Sequence, residues 1–545
     1  MSATKPVSKP VKSNATRPAK NTQVRTSRSD SLILGSSDLT PGKLWEFAAK
    51  ASDFSRPKKL TIAPEAVPGI KEAADMVRKI VLDERKTYGI NTGFGYFADV
   101  VISPEELQKL QYNIIRSHCC GVQDVLPRDL ALGLWLVNLN KLCQGHSGVR
   151  MKTILSILSH LQKGVLADIP SRGSVGASGD LAPLAHATRA TIGEGMCTWP
   201  DGDGNIVHGP ASEALKTCGL SAIEYGPKEG LSLVNGTALS TILAIKAWYE
   251  GSKLLRLMNM SAAMMTEALG GSRSACQDYT LRTHRHYGTY FCGRDMHNWL
   301  GDRSEMSDPH RDNQWIQDPY CIRCAPPVHG AVYTALEHAE EILADEINAA
   351  TDNPLVFPEE MEVANCGHFH AIYPARVSDQ LATAFTTLAN IAERRINQAM
   401  CAKRKHLPTF LVKNGGVNSG FMMLHVTAAA LVSEAKTQSF PASVDSIPTN
   451  IQQEDHVSMG PIAGYKALRV LDILRDVLAI ELICATQAFD LQQPLKPAER
   501  MIPVYEHIRC LVPFLEEDRS LSENVEAITR DIKAGGFDQF ITKVA

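Results

Sequence analysis

A long segment near the C-terminus of this chain is apolar on almost every side of the helix that it would form, and this pattern strongly limits the possible folds. The segment runs from Ala467 to Leu491, and such a pattern is typical of a helix that other helices enclose. Apolar residues also recur at helical spacing from Ile70 to Val81 and from Leu381 to Ala399, whereas alternating strand-like runs are scarce. The sequence therefore predicts an all-α protein, with a long central helical bundle and irregular loops at its ends.

The two longest apolar runs bear on the question of a membrane. They are "FMMLHVTAAALV", residues 421–432, and "VLAIELICATQAF", residues 477–489. Both are shorter than the roughly 18 residues that a helix needs to cross a bilayer, and each contains a polar or charged residue. We therefore expect both to form buried helices and expect no membrane partner.

The amino-terminal residues differ from the rest of the chain. Residues 1–29 contain seven Lys and Arg residues, three prolines and no acidic residue, which predicts a disordered basic tail over residues 1–37. A transit peptide would share this composition, but the prolines oppose the amphipathic helix that it should form. Thr40 as a cap and Pro41 at the first helical position then mark a helix start, so we expect the folded part to begin near residue 38.

Composition limits the partners and the compartment. The chain has 545 residues, of which 44% are hydrophobic and 21% charged, and its formal net charge is −3. This balance is typical of a globular protein and argues against nucleic acid or an anionic membrane as the main partner. Thirteen cysteines, an odd number scattered mostly singly through apolar stretches, predict reduced thiols and a cytoplasmic location.

Several familiar motifs are incomplete in this chain. "GFGYFA" at 93–98 fits the glycine spacing of a dinucleotide-binding loop, but a charged stretch precedes it where an apolar strand is needed. A hydrolase elbow would need glycine where the chain has Asp180, and no G-K-S or G-K-T phosphate loop occurs. The lone C-x-x-C at 321–324 and the "HFH" at 368–370 lack further ligands, so we predict no metal.

The stretch "GSVGASGDLAPLAH", residues 173–186, concentrates the smallest side chains of the chain. Glycine reaches backbone angles that other residues avoid and allows chemical groups to come unusually close. Such a stretch can serve as a tight turn or as a site where the backbone itself reacts.

A resemblance to a known family favours the second possibility, a site where the backbone itself reacts. The stretch resembles the prosthetic-group motif of the aromatic amino acid ammonia-lyase family, and the similarity continues through most of the chain from about residue 38. Six further blocks resemble the family in the same order: "YGINTGFG" (88–95), "KEGLSLVNGT" (228–237), "QDPYCIRC" (317–324), "DNPLVF" (352–357), "LPTFLVKNGGVNSGFM" (407–422) and "QEDHVSMG" (453–460).

The resemblance implies that the chain makes its own prosthetic group. Cyclisation of Ala177, Ser178 and Gly179 with loss of water gives 4-methylidene-imidazol-5-one (MIO), and no external cofactor is then needed. Glycine supplies an unhindered nitrogen, serine a leaving hydroxyl, and alanine a small side chain in a compressed turn. The implied fold is the helical ammonia-lyase and fumarase type, with a loop-rich N-terminal catalytic region.

The same resemblance assigns roles to single residues. Tyr88 matches the family's β-proton base, and because an ordinary tyrosine has a pKa near 10, its site should favour the phenolate. Arg323 matches the family's carboxylate-binding arginine, and a guanidinium suits a planar anion. Among the positions assigned to catalysis, Asn235 matches a polar residue that orients the prosthetic group and substrate, and Tyr320 matches a tyrosine needed at the same site. Gln317 matches a second orienting residue, and Asn353 and Phe369 match positions that line the site.

The choice of substrate depends on fewer positions than the reaction itself. Family members that act on histidine carry Ser-His where this chain has Ser117 and His118, and they carry glutamate at the position of Glu454. A buried imidazole needs hydrogen-bond partners, and an unpaired polar edge costs roughly 1–3 kcal/mol. A carboxylate beside an apolar phenyl ring would be poorly compensated. Both positions therefore favour L-histidine as substrate, with trans-urocanate and ammonia as products.

Some positions depart from the family's histidine-acting branch, so alternatives stay open. "GHFHAIY" (367–373) replaces the usual Gly-Asn-Phe-His-Gly-Glu, "THRHYGTYF" (283–291) replaces a His-x-Gly-Gln pattern, and cysteines stand at 119–120 where small residues are usual. Tyrosine or phenylalanine ammonia-lyase and a 2,3-aminomutase are the alternative activities. A catalytically inactive helical oligomer or a binding protein of the same fold is a further alternative. The intact triad disfavours it, together with Tyr88, Asn235 and Arg323.

The resemblance also implies the assembly. It implies a homotetramer whose active sites take loops from three subunits, with a small-molecule amino acid as the other partner. Within the catalytic chain, 38–545, we expect a prosthetic-group region over 38–250 and a central and C-terminal helical bundle over 251–545.

Overall fold

The computed structural model describes residues 31–52, 59–310, 316–401 and 406–541, and its architecture is dominated by helices. The α-helices of these residues are α1 (Pro41–Ala51), α2 (Val67–Leu82), α3 (Leu107–His118), α4 (Arg128–Leu142), α5 (Met151–Gln162), α6 (Leu181–Thr191), α7 (Ala211–Thr217), α8 (Glu229–Val234), α9 (Ala238–Ala268), α10 (Asp278–Leu281), α11 (Tyr287–Leu300), α12 (Tyr320–Arg323), α13 (Ala325–Ile347), α14 (Ile372–Met400), α15 (Met422–Gln438), α16 (Gly460–Asp490), α17 (Ile502–Leu511), α18 (Ser522–Ala534) and α19 (Asp538–Ile541).

The strands are short and form small separate sheets at the edges of the helical body. They are β1 (Ser31–Leu34), β2 (Lys59–Ile62), β3 (Val122–Val125), β4 (Leu166–Ala167), β5 (Pro170–Arg172), β6 (Met196–Pro200), β7 (Ile206–Pro210), β8 (Leu355–Phe357) and β9 (Glu362–Ala364). Strands β1 and β2 pair in parallel, and β3–β5, β4–β6–β7 and β8–β9 pair antiparallel.

The long helices α9, α13, α14 and α16 pack along one another and form the core of the molecule. Helix α16 begins beside the first turn of α9. Gly460 lies so close to Ser240 there that a Cβ on the glycine would overlap the serine side chain. It ends beside the end of α9, where Gln492 Nε2 donates to the Ala268 carbonyl at 3.0 Å. The two helices therefore run in the same direction, and their N-terminal ends lie together.

The predicted all-α class is confirmed, and so is the start of α1. Thr40 caps this helix, and its Oγ1 accepts the N–H of Lys43. The segment from Ala467 to Leu491 lies almost wholly within α16, which is buried along most of its length. The expectation of a buried helix over 421–432 is wrong for a single chain: α15 forms there, but Met423 is 59% exposed and Val426 is also exposed.

Two predicted boundaries also need correction. The predicted tail over 1–37 includes β1, whose Leu34 is fully buried against the core and whose register with β2 pairs Ser31 with Lys59. The sequence of this strand is short and apolar, and its place in the fold depends on contacts with other elements: it pairs with β2, and Leu32 and Leu34 pack in the core. Residues 1–30 lie outside the described residues. The expected division at residue 250 falls inside α9, which is one continuous helix from Ala238 to Ala268. This helix packs against helices of both expected regions, so no boundary lies there.

The described ranges contain no helix that is both long and apolar enough to cross a membrane. All thirteen cysteines are described, and none of them forms a disulfide.

Candidate active site

The Ala177–Gly179 triad lies in a loop that packs against the entry to α9. Gly179 has a left-handed backbone with φ of +78°, and it pairs with Gly236 as an isolated β-bridge. The approach is so close that a Cβ on Gly179 would lie 2.2 Å from the Gly236 carbonyl oxygen. Only a residue without a side chain fits there, as the sequence predicts for a loop in which backbone groups are pressed together.

Asp180 anchors the C-terminal side of the triad. Its N–H donates to the Gly236 carbonyl at 2.7 Å, and its buried carboxylate accepts the Ser240 N–H at 2.8 Å and the Ser240 and Ser174 hydroxyls. Burial raises the pKa of Asp180 to about 6, although the hydrogen bonds from Ser240 and Ser174 oppose this rise. Asp180 was not among the site residues predicted from the sequence, in which its only signal is an acid directly after the small-residue stretch.

Glu454 meets the central residue of the triad. The Ser178 hydroxyl donates to Glu454 Oε1 at 2.6 Å, across 276 residues of sequence. The other carboxylate oxygen, Oε2, accepts a hydrogen bond from the Thr449 hydroxyl. Glu454 was predicted from the sequence, whereas Thr449 was not, because a threonine outside every family block carries no signal by itself.

Tyr88 is half-buried on the same side of the triad. Its hydroxyl oxygen accepts the N–H of Gly95 at 3.3 Å. Burial raises the pKa of Tyr88 and the charge of Glu454 raises it further, whereas the Gly95 hydrogen bond lowers it. The expectation of a site that favours the phenolate is therefore not met within a single chain, because desolvation outweighs the one stabilising hydrogen bond.

His118 ends helix α3 and belongs to this group. Its Nδ1 lies 3.0 Å from the Ser117 hydroxyl, which also donates to the Ile114 carbonyl at 3.2 Å. Burial lowers the pKa of His118, with the Ile114 hydrogen bond and the negative charge of Glu454 acting in the opposite direction. The imidazole is therefore neutral near pH 7, which leaves it able to accept one hydrogen bond and donate another.

Asn235 joins the group from the end of α8. Its side-chain Nδ2 donates to the Asn353 carbonyl at 3.1 Å, and Asn353 Oδ1 accepts the Cys366 N–H. Asn235 Oδ1 is buried and has no hydrogen-bond partner within the described part of the chain. Such an acceptor is costly unless a bound group supplies a donor.

Two buried lysines beneath Asn235 were not predicted. Lys141 is 2% exposed, and its Nζ donates to the Ser232 and Asn235 carbonyls, both at 2.6 Å. Burial lowers the pKa of Lys141 to about 8. Nearby, Lys228 Nζ lies 3.0 Å from Asp352 Oδ2, and neither side chain is exposed. The sequence signal for Lys141 was a lone lysine in α4, a helix whose other residues from Leu130 to Leu142 are all buried.

Three other predicted residues form a second group elsewhere in the chain. Arg323 lies over the ring of Tyr320 at 4.5 Å, and its Nη2 donates to Gln317 Oε1 at 2.9 Å. Tyr320 is 70% exposed. A cavity of about 750 Å³ is lined in part by Gln317 and Arg323 and by the turn from Gly270 to Ser274.

The two groups lie at opposite ends of α9. Asn235 and Gly236 directly precede this helix, whereas Asp318, beside Gln317, accepts the N–H of Ser272 just after it. At 1.5 Å per residue, the 31 residues of α9 span roughly 45 Å. One chain therefore does not bring the proposed amine-capturing triad and the proposed carboxylate clamp together.

Phe369 is half-buried in the segment before α14. Two residues later, the Ala371 N–H donates to the Gly176 carbonyl at 3.2 Å, so this segment borders the triad loop. His370 stacks on His456 with ring centroids 5.3 Å apart. Across the described residues, no group of three or more His, Cys, Asp or Glu side chains is arranged to hold a metal ion.

Comparison with known proteins identifies the family of the chain. A family model described as "Aromatic amino acid lyase" matches residues 39–510. The chain belongs to the aromatic amino acid lyase family. The match extends from just before α1 into α17, so it includes every residue predicted for the site. The predicted resemblance and enzyme class are thereby confirmed, whereas the roles of single residues stay predictions.

Relatives within this family differ in their reactions. The histidine ammonia-lyase of Natranaerobius thermophilus is 42% identical over 479 residues, which cover 88% of this chain and 93% of that protein. The crystal structure of histidine ammonia-lyase from Trypanosoma cruzi is similar with a TM-score of 0.84 and 38% identity, over 94% of this chain and 95% of that one. Tyrosine aminomutase from Streptomyces globisporus has a TM-score of 0.85 and 30% identity, over 93% and 98%.

Proposed function

We propose that the chain is a histidine ammonia-lyase, which removes ammonia from L-histidine and releases trans-urocanate. Relatives that carry this name reach 42% identity over nearly their whole length. The observation that carries the substrate assignment is the contact between Glu454 and Ser178 at 2.6 Å, with His118 on the same side. An imidazole can donate an N–H to this carboxylate, whereas a phenyl ring would leave the charge without a partner.

We propose further that Ala177, Ser178 and Gly179 form MIO. The Gly179 nitrogen attacks the Ala177 carbonyl carbon and closes a five-membered ring, and the former carbonyl oxygen leaves as water. Ser178 then loses its hydroxyl and its Cα hydrogen as a second water, which leaves a carbon–carbon double bond. Three features fit such a group: the left-handed Gly179, its close packing on Gly236, and the buried Asn235 Oδ1, which lacks a hydrogen-bond partner among the described residues.

Once formed, the group would supply an electrophilic carbon that takes up the substrate amine and makes it a better leaving group. Tyr88 then removes the β-proton, and its phenolate must be stabilised by charges that a single chain does not place beside it. Glu454 and His118 bind the imidazole side chain. Arg323 of another copy holds the substrate carboxylate through two parallel donors.

A homotetramer is the proposed assembly, since the two groups of site residues lie roughly 45 Å apart in one chain. The exposed apolar side chains of α15 and the segment after it support this proposal, because an apolar surface of this kind marks an interface. These side chains are Met422, Met423, Val426, Phe440, Val444, Ile447 and Ile451. The proposed location is the cytoplasm, which suits thirteen cysteines without a disulfide.

The deciding experiment is to offer L-histidine, L-tyrosine and L-phenylalanine separately to the purified protein and to identify each product by mass spectrometry. We expect L-histidine to yield urocanate and ammonia in equal amounts. Release of an unsaturated acid mainly from tyrosine or phenylalanine, or recovery of a β-amino acid, would contradict the proposal and favour the alternative lyases or the aminomutase.

Intact-mass spectrometry tests the prosthetic group independently of substrate. The mature chain should weigh two water molecules less than its encoded sequence, and it should show near-ultraviolet absorbance that borohydride removes. Ser178→Ala is the matched control, because alanine has no hydroxyl to lose as the second water. A wild-type chain with its full encoded mass would refute the proposed cyclisation.

A further inference from the structure

Thr449 and Glu454 form a small closed unit next to the triad. The Thr449 N–H donates to the Glu454 carbonyl at 3.0 Å, and the Glu454 N–H donates back to the Thr449 carbonyl at 3.4 Å. The Thr449 hydroxyl also donates to Glu454 Oε2. Backbone and side chain of the glutamate are thus both held by the same threonine.

The residues between them adopt an unusual backbone. Asn450, Ile451 and Gln452 have φ values of 49°, 54° and 64°, so three successive residues other than glycine are left-handed. This conformation is unfavourable for L-residues, and most of all for a β-branched one such as isoleucine. Ile451 is 77% exposed in the single chain, so no burial within its own chain offsets the strain. Strain of this kind persists where the surrounding contacts require it.

The strained turn also contacts the loop of Tyr88. A Cβ on Gly95 would lie 2.8 Å from Asn450 Nδ2, and the Gly95 N–H is the group that bonds the Tyr88 hydroxyl. The Asn450 side chain further donates to Gln453 Oε1 at 3.1 Å. The turn therefore fixes the position of Glu454 relative to both Ser178 and Tyr88.

Cyclisation of the triad would remove the hydrogen bond of only one of the two Glu454 carboxylate oxygens. Oε1 accepts its hydrogen bond from the Ser178 hydroxyl, which is the group that leaves as water. Oε2 accepts from Thr449, which takes no part in the cyclisation. Maturation thus frees one oxygen for the substrate and leaves the other one held.

We propose that Thr449 is a positioning residue for substrate recognition: its hydroxyl holds Oε2 of Glu454 so that Oε1 faces the imidazole of L-histidine. This inference rests on the proposed function. A glutamate side chain has several rotatable bonds, so a carboxylate without the Thr449 bond would sample orientations that cannot receive the substrate. Thr449 itself does not touch the reacting atoms.

The test compares Thr449→Val, which removes the hydroxyl but keeps the shape, with Thr449→Ser, which keeps the hydroxyl. Loss of a hydrogen bond to a charged group predicts that Thr449→Val lowers kcat/KM for L-histidine roughly 10- to 100-fold. Thr449→Ser should retain activity within a few-fold of wild type. Both variants should still lack two water molecules by intact mass, because the triad does not depend on Oε2.

A second comparison tests whether the effect passes through Glu454. In a Glu454→Ala background, Thr449→Val should cause no further loss, because no carboxylate is left to hold. Thr529→Val is the matched control, since the Thr529 hydroxyl donates to a carboxylate, Asp476 Oδ1, at 2.9 Å outside the site. This control should leave kcat/KM unchanged.

Four results would overturn the inference while leaving the proposed function intact: unchanged kcat/KM in Thr449→Val, equal losses in the valine and serine variants, an uncyclised triad in Thr449→Val, or the same loss in the Glu454→Ala background. A wild-type enzyme that releases no urocanate from L-histidine is a different outcome. It would refute the proposed function itself and the inference with it.

Discussion

Single residues on both sides of the triad determine its shape. On the N-terminal side, the Gly176 carbonyl accepts hydrogen bonds from the Ser458 hydroxyl and the Ala371 N–H. On the C-terminal side, the Asp180 N–H donates to the Gly236 carbonyl. The loop is therefore held at both ends while Gly179 takes a left-handed backbone. Such fixation reduces the entropy cost of the ring closure that we propose for the triad.

Gly179→Ala should prevent maturation. The added Cβ would lie 2.2 Å from the Gly236 oxygen and would also be strained by the positive φ of residue 179, so the two backbones must separate. We expect a chain with its full encoded mass and no near-ultraviolet signal. The control is Gly204→Ala, where φ is +85° but nothing lies within 4 Å. A cyclised Gly179→Ala chain, or an uncyclised Gly204→Ala chain, would contradict this explanation.

Asp180 should make stability depend on pH in an identifiable window. Its folded pKa of about 6 lies above the ordinary value of 3.8, so between these values the folded chain keeps a proton that the unfolded chain has lost. Stability from this group is therefore fully present below about pH 3.8 and is lost as the pH rises through 6, a change of about 3 kcal/mol.

Asp180→Asn cannot titrate and provides the comparison. The denaturation midpoints of wild type and variant should be measured from pH 4 to 7. The stability of the variant relative to wild type should increase with pH over this range. Parallel curves for the two proteins would mean that Asp180 titrates alike in the folded and unfolded states.

At the scale of elements, a buried ion pair links two helices of the central bundle. Arg395 on α14 pairs with Glu481 on α16, and neither side chain is exposed. Arg395 Nη1 also donates to the Cys321 carbonyl of α12, the short helix that presents Tyr320 and Arg323. Loss of this arginine would thus leave a buried carboxylate without its partner and would loosen α12.

Arg395→Met should lower the free energy of unfolding by about 3–5 kcal/mol, because an uncompensated charge stays buried. The double variant Arg395→Met, Glu481→Leu should recover most of this loss. Arg469→Met is the control, since its pair with Glu434 is about half exposed and exposed pairs contribute only about 0–1 kcal/mol. Denaturant unfolding measures the free energy of unfolding of each variant. Equal losses in Arg395→Met and Arg469→Met would contradict this account.

Helix α15 illustrates what periodicity can and cannot predict. Its apolar residues were sufficient to predict a helix, and Leu424, Ala428 and Val432 are buried as expected. Met423 and Val426 are exposed in one chain, because the sequence also contains apolar side chains on a second face. Periodicity reports which residues avoid water, but not whether the same chain or another copy covers them.

At the scale of the whole molecule, the separated groups predict complementation between defective chains. Tyr88→Phe and Arg323→Met should each be nearly inactive alone, whereas co-expressed mixtures should contain some sites with intact residues from both copies. Random mixing in equal amounts predicts activity at about a quarter of the sites. Activity of mixed oligomers, isolated by two different affinity tags, provides the measurement.

The control mixture combines Tyr88→Phe with His118→Ala. Both residues belong to the group near the triad, so every site in this mixture keeps one defect and activity should not recover. Recovery in the control, or its absence in the first mixture, would mean that the site is not shared between chains as proposed.

Local patterns and blocks of contiguous residues were sufficient to predict the helical class, the capped start of α1, the enclosed helix α16 and the family. The folded chain was needed to find four other features: the pairing of β1, the contact of Glu454 with Ser178 across 276 residues, the buried lysines beneath Asn235 and the separation of Arg323 from the triad. These are contacts between distant parts of the chain, and their energies depend on burial and geometry that no local pattern encodes.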